Sequence, residues 1–586
     1  MALGGELRGS RLQAAIGLVA GLCFFLFGYD QGDLAGLLTV PTFRAQFPQI
    51  DTIGNPGSLH TATIQGVTVA AWNIGCFLSA MLTILWGDLI GRKKTIYIGL
   101  TFLCSGEIIQ ACSYSYGQFI AGRVVAGFGN GFNAATVPAW QAECSKAHRR
   151  GTLLMISAGA CIAAGLSFSY WINFGMYWVE WNSASWRFPI AIQLFFLLST
   201  FVLMHFMPES PRWLILCGRE EAALDVLSAL NDKPRNDTAI RQEFLSIKDA
   251  VIEMAKGSTM DLTSMGDYRH IHRAILASGL QVMQQMSGIN LITQYLAVLL
   301  LQQFRYERPW VALVISACAG TEFFLASFVA VIGIDRFWGR RSLLMFGASG
   351  ILIAGTVFVF AFCTFFAIGW QGMAWLYQVE IIPLRIRGPA NALSTAVNWL
   401  TNFVVVLIAP VAFHSIGYRT FIIFACTNFV SVPIIYFFYP ETGFRSLEEV
   451  DVVFHAAALS PRPWLSVRKI AANEPLWYGK DGDEPFDYEA SEWHQKHTRF
   501  SEGMRSSDGG TGSLTNGGRE KGSHGSPIDG SEREPMDKLP SEDERAKASP
   551  VVEVPRQLAD EAAPMSKDHA MVPNSVRGLE CAGGGY

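Results

Sequence analysis

Charged residues are scarce in this chain, and so are the side-chain groupings that catalysis and metal binding require. Asp, Glu, Lys and Arg make up 16% of the 586 residues, while half of the residues are hydrophobic. The 11 cysteines show no CxxC or CxxH spacing, and the 11 histidines form no nucleophile or metal grouping with the carboxylates. The composition excludes a soluble protein with an ordinary surface. It predicts no enzyme, no metal site, no disulfide framework and no cofactor.

Long apolar runs take the place of a charged surface. Most of them have the roughly 20 residues that a helix needs to cross a bilayer core of about 30 Å. The first run follows Arg8 and Arg11, lacks a small-residue cleavage site and is too long for a signal-peptide core, so we expect it to remain as helix 1. The sequence therefore predicts an all-α polytopic protein surrounded by lipid. The runs cover about 12–39, 61–86, 95–115, 118–141, 152–178, 187–207, 274–302, 309–333, 342–379, 390–413 and 418–439.

Two polar segments divide the chain. Residues 208–272 contain EEAALDVLSAL and RQEFLSIKDAVIEMA, patterns that predict short amphipathic helices on a membrane surface. Beyond residue 440 the composition shifts to Ser, Gly, Asp, Glu, Lys and Pro, which cannot bury enough apolar surface to fold alone. We therefore predict an N-terminal segment (1–11), a six-helix bundle (12–207), a helical linker (208–272), a second helix bundle (273–440) and a mostly disordered tail (441–586).

Basic residues lie in alternate gaps between the apolar runs. Because Lys and Arg concentrate in cytoplasmic loops, these gaps, both termini and the linker are predicted to be cytoplasmic. We further expect a monomer in the plasma membrane and no nucleic-acid partner. The basic gap residues are Arg92, Lys93, Lys94, Arg149, Arg150, Arg336, Arg340, Arg341, Arg385 and Arg387.

Three short motifs occur twice and in the same order. GDLIGRKK at 87–94 is matched by IDRFWGRRS at 334–342. AEC…RRG at 142–151 is matched by VEIIPLRIRG at 379–388, and PESPR at 208–212 by PETGF at 440–444. Three matched pairs in register indicate that one membrane bundle was duplicated.

The doubled loop, the two halves and the linker resemble the major facilitator superfamily. PESPRWL (208–214), QQMSGIN (284–290) and PETGF are similar to motifs of its sugar porters, and FGYDQGDLAGLL (27–38), VPAWQAECSKAHRRG (137–151) and IGWQGMAWLY (368–377) to those of fungal sugar and polyol porters. The resemblance covers about 11–451. It implies a major facilitator fold of twelve helices that moves a monosaccharide or polyol by alternating access. A sugar sensor that signals through its tail is the alternative.

Asp30 lies within the first apolar run, where an acidic side chain costs several kcal/mol and needs a partner. Arg123, in the fourth run, is the best candidate. The resemblance implies that this pair couples protonation to sugar binding, with protons as the coupling ion. The alternative is a static ion pair in a protein that only facilitates diffusion. Asp33 shares a helix face with Asp30, but we expect it to lie in the solvated extracellular mouth.

Sugar binding requires several amide hydrogen bonds and aromatic faces between the two halves. Gln281, Gln284, Gln285 and Asn290 form the densest amide cluster of any apolar run, although amides can also serve only to join helices. The position at which many hexose porters carry glutamine is Leu166 here, so the resemblance does not imply specific hexose recognition. By motif position, the resemblance implies that the substrate-binding residues are Gln284, Gln285, Asn290, Trp375, Asn398 and Trp399.

The charged loops predict a cytoplasmic gate. Asp88 with Arg92, and Asp335 with Arg340, can pair within each loop. Glu143 and Glu380 supply acidic partners for the arginines when this side is closed, although the same charges also set topology. The predicted gate consists of Asp88, Arg92, Glu143, Arg150, Asp335, Arg340, Glu380 and Arg387.

The second half is shorter than the first between matching motifs. Gly91 and Glu143 are 52 residues apart, whereas Gly339 and Glu380 are 41 apart. Residues 342–379 supply about 57 Å of helix at 1.5 Å per residue, and two crossings need about 60 Å before any turn. We infer an internal deletion that shortens helices 9 and 10 and could impair transport. Two short helices in a thinned bilayer are the alternative.

Overall fold

The computed structural model describes residues 7–55, 57–179, 182–255, 269–302, 308–334, 339–354, 359–383 and 386–477. All regular secondary structure in these ranges is helical. Seven of the described helices are long and apolar enough to cross a membrane, which confirms the predicted all-α membrane protein. They are Gly9–Leu37, Leu59–Ile90, Arg150–Tyr177, Ala184–His205, Pro309–Gly333, Arg387–Ile416 and Thr420–Phe438.

The N-terminal bundle follows the predicted apolar runs closely. Ser58 and Ser115 precede two of its helices, and their hydroxyls accept hydrogen bonds from the first-turn amides of Thr61 and Gln118. A π-helical segment, Met155–Cys161, links α6 to α7. The helices are α1 (Gly9–Leu37), α2 (Pro41–Gln46), α3 (Leu59–Ile90), α4 (Arg92–Ala111), α5 (Tyr116–Glu143), α6 (Ala147–Leu154), α7 (Ile162–Tyr177) and α8 (Ala184–His205).

Small residues set the spacing of these helices. A Cβ atom on Gly28 of α1 would lie 1.9 Å from the carbonyl oxygen of Ile162. On Gly127 of α5 it would lie 2.0 Å from the carbonyl oxygen of Trp72, and on Gly129 it would lie 2.3 Å from the amide nitrogen of Leu103. The glycines of the sequence GFGNG therefore serve helix packing, as their place in an apolar run predicts.

The linker forms the short amphipathic helices that its pattern predicts: α9 (Pro211–Leu216), α10 (Glu220–Asn231) and α11 (Thr238–Ala255). Their apolar faces form a separate cluster in which Trp213, Leu227 and Ile240 are buried. Residues 256–268 of the predicted linker lie outside the described residues.

The C-terminal bundle breaks its helices more often. Gly288, at φ +95°, separates α12 from α13, a conformation that favours glycine. A π-helical segment, Ala367–Gln371, lies between α16 and α17. Residues 355–358, which follow the last described residue of α15, lie outside the described residues. The helices are α12 (His270–Gln285), α13 (Ile289–Gln302), α14 (Pro309–Gly333), α15 (Arg340–Ala354), α16 (Val359–Phe366), α17 (Met373–Ile381), α18 (Arg387–Ile416) and α19 (Thr420–Phe438).

The start of the predicted tail is folded. Two helices, α20 (Leu447–Ala458) and α21 (Pro463–Asn473), pack beneath the C-terminal bundle. Ser446 and Glu449 form a capping box at α20, and the buried Arg273 of α12 pairs with Asp451 at 2.5 Å. The first part of the predicted tail, up to residue 477, is thus folded against the bundle, because these contacts supply the burial that its composition cannot provide alone. That the tail is mostly disordered stays a prediction. Residues 478–586 lie outside the described residues.

Candidate functional site

Three of the predicted substrate-binding amides contact one another at the centre of the molecule. The Gln285 side-chain nitrogen donates a 2.5 Å hydrogen bond to Asn398 Oδ1, and Asn290 Nδ2 donates one of 2.5 Å to Gln285 Oε1. Gln284 donates instead to the carbonyl of Trp370 at 3.1 Å. These hydrogen bonds join the amides of α12, α13 and α18 to each other and to backbone. Among the described residues, the Gln284 oxygen and the Asn398 nitrogen have no hydrogen-bond partner.

A small cavity of about 20 Å³ lies beside these amides, between the two halves. It has room for about one water molecule, so in this conformation the two halves are closed around the amides. Among the predicted substrate residues, Gln284, Gln285, Asn290 and Trp375 line it. The motif comparison did not select several other lining residues: Phe27, Gln31, Ile162, Ile289, Thr293, Phe323, Phe366 and Gln371.

The two predicted tryptophans occupy different layers. Trp375 lines the cavity and packs edge-on against Phe24 and Phe27, with ring centroids 5.9 and 6.2 Å apart. Trp399 lies behind this layer, 5.2 Å from both Phe27 and Trp72. The structure therefore brings Trp375 to the cavity wall, while Trp399 and Asn398 support that wall from α18.

Asp30 and Arg123 face each other inside the N-terminal bundle, as the sequence predicts. Arg123 Nη1 lies 3.5 Å from Asp30 Oδ1, and both residues are 3% exposed. Asp33 is also 3% exposed, and Asn173 donates to its carboxylate at 3.3 Å. The prediction that Asp33 is solvated at the mouth is wrong, because α7 covers α1 at that depth.

Sequence reasoning missed a third acid in the same region. Glu107 on α4 is 1% exposed. Its carboxylate accepts hydrogen bonds from Gln193 on α8 and from Gln110, each at 3.3 Å. The rule that identified Asp30, an acid within an apolar run, would also have selected Glu107.

At the end of the bundle that carries the charged loops, called here the charged end, the N-terminal half forms a compact network. Arg92 Nη1 donates to Asp88 at 2.6 Å, and Arg92 Nε lies 3.3 Å from Glu143. Ser210 Oγ also donates to Glu143, at 2.7 Å, and the carboxylate of Glu209 accepts from the Lys93 amide at 3.1 Å. Burial raises the pKa of Glu209, and the hydrogen bonds from the Ser210 and Lys93 amides oppose that rise.

The C-terminal half repeats this chemistry with its own copies of the motifs. Arg340 Nη2 lies 3.2 Å from Glu380, and Thr442 Oγ1 donates to Glu380 at 2.7 Å. The carboxylate of Glu441 accepts from the Arg341 amide at 3.1 Å, as Glu209 does from the matching Lys93 amide. The duplication seen in the sequence thus extends to individual hydrogen bonds. Asp335, a predicted gate residue, lies outside the described residues.

Two predicted gate arginines make backbone contacts close to the network. Arg150 Nε donates to the Ala142 carbonyl at 3.3 Å, and Arg387 Nη2 donates to the Ile382 carbonyl at 3.2 Å. Each carbonyl lies within two residues of a network glutamate, Glu143 or Glu380. Arg150 therefore ties the loop backbone to the ion pair of its own half. Arg387 does the same in the C-terminal half and lies close enough to Glu143 for its charge to act across the boundary.

Contacts between the halves close the charged end. A Cβ atom on Gly388 of α18 would lie 2.4 Å from the Asp88 carboxylate, and Asn391 donates to the Ala135 carbonyl at 2.6 Å. Towards the opposite end, Asn73 meets Asn402 at 3.4 Å. A larger cavity of about 140 Å³, lined by residues of both halves such as Gln65 and Tyr295, lies there.

The family model for sugar (and other) transporters matches residues 16–359 and 351–454. This chain belongs to the sugar transporter family. The two matched stretches overlap at 351–359, within the interval that is shorter than its counterpart in the first half. Membership of the major facilitator sugar porters, predicted from the motifs, is confirmed.

Curated relatives of this sugar transporter cover most of its length. The sugar transporter STL1 of Saccharomyces cerevisiae is 35% identical over 483 residues, which are 78% of this chain and 84% of STL1. The high glucose sensor RGT2 of the same yeast is 30% identical over 484 residues, 77% of this chain and 62% of RGT2. Among solved structures, the proton:xylose symporter XylE bound to 6-bromo-6-deoxy-D-glucose aligns with a TM-score of 0.67 at 25% identity, over 76% of this chain and 99% of XylE.

Proposed function

We propose that this protein carries a monosaccharide or polyol into the cell together with a proton. The observation that carries the proposal is the position of the buried Asp30–Arg123 pair next to the cavity. Gln31, which follows Asp30 on α1, lines the cavity that Gln284, Gln285 and Trp375 also line. A change of charge at Asp30 therefore acts on the same helix that forms one wall of the sugar site.

Sugar binding would use the amides that bond to each other in the closed arrangement. Hydroxyl groups of the substrate would take the place of the Gln285–Asn398 and Asn290–Gln285 hydrogen bonds. Exchanging amide–amide for amide–hydroxyl hydrogen bonds costs little free energy if every amide is bonded again. Trp375 presents an aromatic face to the apolar C–H surface of the sugar. The polar residues come from several helices of both halves, so binding draws the halves together around the substrate.

Protonation of Asp30 would weaken its attraction to Arg123 and allow α1 to move relative to α5. When the charged end opens to the cytoplasm, Gly388 and Asn391 of α18 separate from Asp88 and Ala135. If one proton accompanies each sugar, a membrane potential of 100 mV contributes about 2.3 kcal/mol to uptake. That is sufficient for an inward concentration gradient of roughly fiftyfold, since about 1.4 kcal/mol corresponds to a factor of ten.

Known relatives support this proposal. STL1 is named a sugar transporter, and XylE is named a proton:xylose symporter. The predicted plasma-membrane location and cytoplasmic charged end are parts of the same proposal and follow from the positive loop residues.

The decisive experiment replaces Asp30 by Asn in the full-length protein reconstituted in vesicles. We expect the variant to lose accumulation of labelled sugar against a gradient while it retains sugar exchange across the membrane. Asp225→Asn makes the same chemical change at an exposed linker residue paired with Arg235 and should leave both activities intact. Undiminished accumulation by Asp30→Asn would refute proton coupling through this residue.

Similarity to RGT2 favours one other function, that of a sensor which binds sugar without moving it. Uptake in a host that lacks its own sugar transporters separates the two functions. A transporter restores uptake, whereas a sensor gives none and still changes the expression of sugar-responsive genes. A panel of hexoses, pentoses, disaccharides and polyols in the same assay identifies the substrate.

A further inference from the structure

We infer that Glu107 is a second counter-ion of Arg123. The carboxylate of Glu107 compensates the charge of Arg123 when Asp30 binds the transported proton. This inference rests on the proposed proton coupling and adds a positioning residue to it. Arg123 lies 3.5 Å from Asp30 and close enough to Asp33 and Glu107 for its charge to act on both, and none of the four residues is more than 3% exposed.

The packing of α4 against α5 brings Glu107 and Arg123 to the same depth. A Cβ atom on Gly99 would lie 2.4 Å from Asn133, and one on Gly106 would lie 2.2 Å from the nitrogen of Ala126. These contacts fix the antiparallel register of the two helices. Glu107 directly follows Gly106 on α4, and Arg123 directly follows Gly122 on α5. The two charged residues therefore lie within about one helical turn of each other along the axis.

The groups that face Glu107 come from each helix around it. Tyr29, Asp30 and Asp33 approach from α1, and Arg123 approaches from α5. Gln193 of α8 donates to the carboxylate at 3.3 Å, and Cys104 and Gln110 lie on α4 itself. On α3, Cys76 lies near Asp30 and Arg123, while His60 and Asp88 stand near its two ends. Arg123 is the cation among these groups.

The hydrogen bonds of Glu107 suit an ionised carboxylate. Each of its oxygens accepts from an amide nitrogen, one of Gln193 and one of Gln110. Donors directed at both oxygens stabilise the charged form, because a carboxylate only accepts hydrogen bonds. Burial disfavours the charged form of Glu107, whereas the two donors and the nearby charge of Arg123 favour it. In the proposed cluster the donors and Arg123 together outweigh the cost of burial.

This arrangement explains how Asp30 can take up a proton. If Asp30 were the one partner of Arg123, its protonation would leave an uncompensated buried charge, which is strongly unfavourable. With Glu107 ionised and Asp33 protonated, the cluster of Asp30, Asp33, Glu107 and Arg123 carries one excess negative charge before Asp30 is protonated and none after it. The proton goes to a carboxylate oxygen of Asp30, and Arg123 then turns towards Glu107. The negative charge of Glu107 thus favours proton binding at Asp30.

The test is the pH dependence of sugar accumulation by the full-length protein in vesicles. Glu107→Gln preserves shape and removes the charge, so we expect half-maximal accumulation to require at least tenfold more protons, a shift of about one pH unit to lower pH. Glu107→Asp should restore the original midpoint. Ser105→Ala, at an exposed position of α4 that bonds to its own helix, should leave the midpoint unchanged. A Glu107→Gln midpoint equal to that of the wild type would overturn the inference.

A second variant covers the case in which Glu107→Gln fails to fold, detected as loss of sugar exchange. Gln193→Leu removes one donor from the Glu107 carboxylate and should shift the midpoint in the same direction by about threefold in proton concentration. An unchanged midpoint for this variant would also count against the inference. If the wild type itself accumulates sugar independently of pH, the proposed proton coupling fails, which is a separate result.

Discussion

Gln285 and Asn398 join α12 to α18 through a hydrogen bond of 2.5 Å between two predicted substrate-binding side chains. Both residues are buried, and the Asn398 nitrogen has no hydrogen-bond partner among the described residues. An amide group held in this way is oriented before the substrate arrives, which lowers the entropy cost of binding.

Asn398→Ala should therefore weaken sugar binding. Loss of one oriented amide in a buried site costs about 1–3 kcal/mol, so we expect KM for uptake to rise by roughly tenfold. The control is Thr401→Ala on the same helix, because Thr401 donates to the carbonyl of its own helix at Val397. Equal KM values for the two variants would remove Asn398 from the site.

Glu380→Gln should destabilise the C-terminal half. It removes the carboxylate that compensates the buried Arg340 and accepts from Thr442. Removing one partner of a buried ion pair typically costs 3–5 kcal/mol, so we expect the melting temperature of the purified protein to fall by several degrees. Glu221→Gln breaks an exposed pair with Arg235 and should shift melting little. A similar melting temperature for the two variants would contradict the importance of this pair.

Gly28→Val should prevent correct packing of α1 against α7. A Cβ atom at this position would overlap the carbonyl oxygen of Ile162, so the two helices would have to separate. We expect little protein at the membrane when the variant is fused to a fluorescent reporter. Gly175 provides the matched control, because a Cβ atom there meets nothing within 4 Å. Normal delivery of Gly28→Val would show that this contact is dispensable.

The short interval in the second half leads to a prediction about the transcript. The family match consists of two stretches that overlap at 351–359, inside the interval that is 11 residues shorter than its counterpart in the first half. We expect sequencing across codons 350–356 to reveal about 11 further codons, the difference between the 52 residues from Gly91 to Glu143 and the 41 from Gly339 to Glu380. A transcript that reads through this interval as printed would leave two short helices in a thinned bilayer as the explanation.

Much of the fold could be predicted from hydropathy alone, because lipid requires long apolar helices and each predicted run coincides with described helices. The gate pairs were also predictable, since Arg92 with Glu143 and Arg340 with Glu380 occupy repeated positions. Hydropathy could not predict the folded start of the tail, where Arg273 on a distant helix pairs with Asp451. Nor could it predict the depth of Asp33, which depends on Asn173 and the packing of α7.

The central site shows a similar limit. Motif position identified Gln285, Asn290 and Asn398, which do meet in the structure. The sequence does not predict that Gln31 and Gln371 line the cavity, because nothing in it indicates which face of α1 or of the π-helical segment does so. Trp399 was assigned to the sugar on the same grounds as Trp375, yet packing places it one layer behind.

Because each half contains its own set of motif contacts at the charged end, those contacts can stay intact while the halves move apart. Only bonds that cross from one half to the other, such as Asn391 to the Ala135 carbonyl, must break in every turnover. Each such hydrogen bond contributes about 1 kcal/mol net. Shifting the equilibrium between the closed and the open conformation from 1:99 to 99:1 takes about 5.5 kcal/mol. The binding of one sugar and one proton is on this scale. Substitutions in the motif contacts within one half of the charged end should therefore change how much carrier survives, and substitutions in the contacts that cross the boundary should change how fast each carrier works.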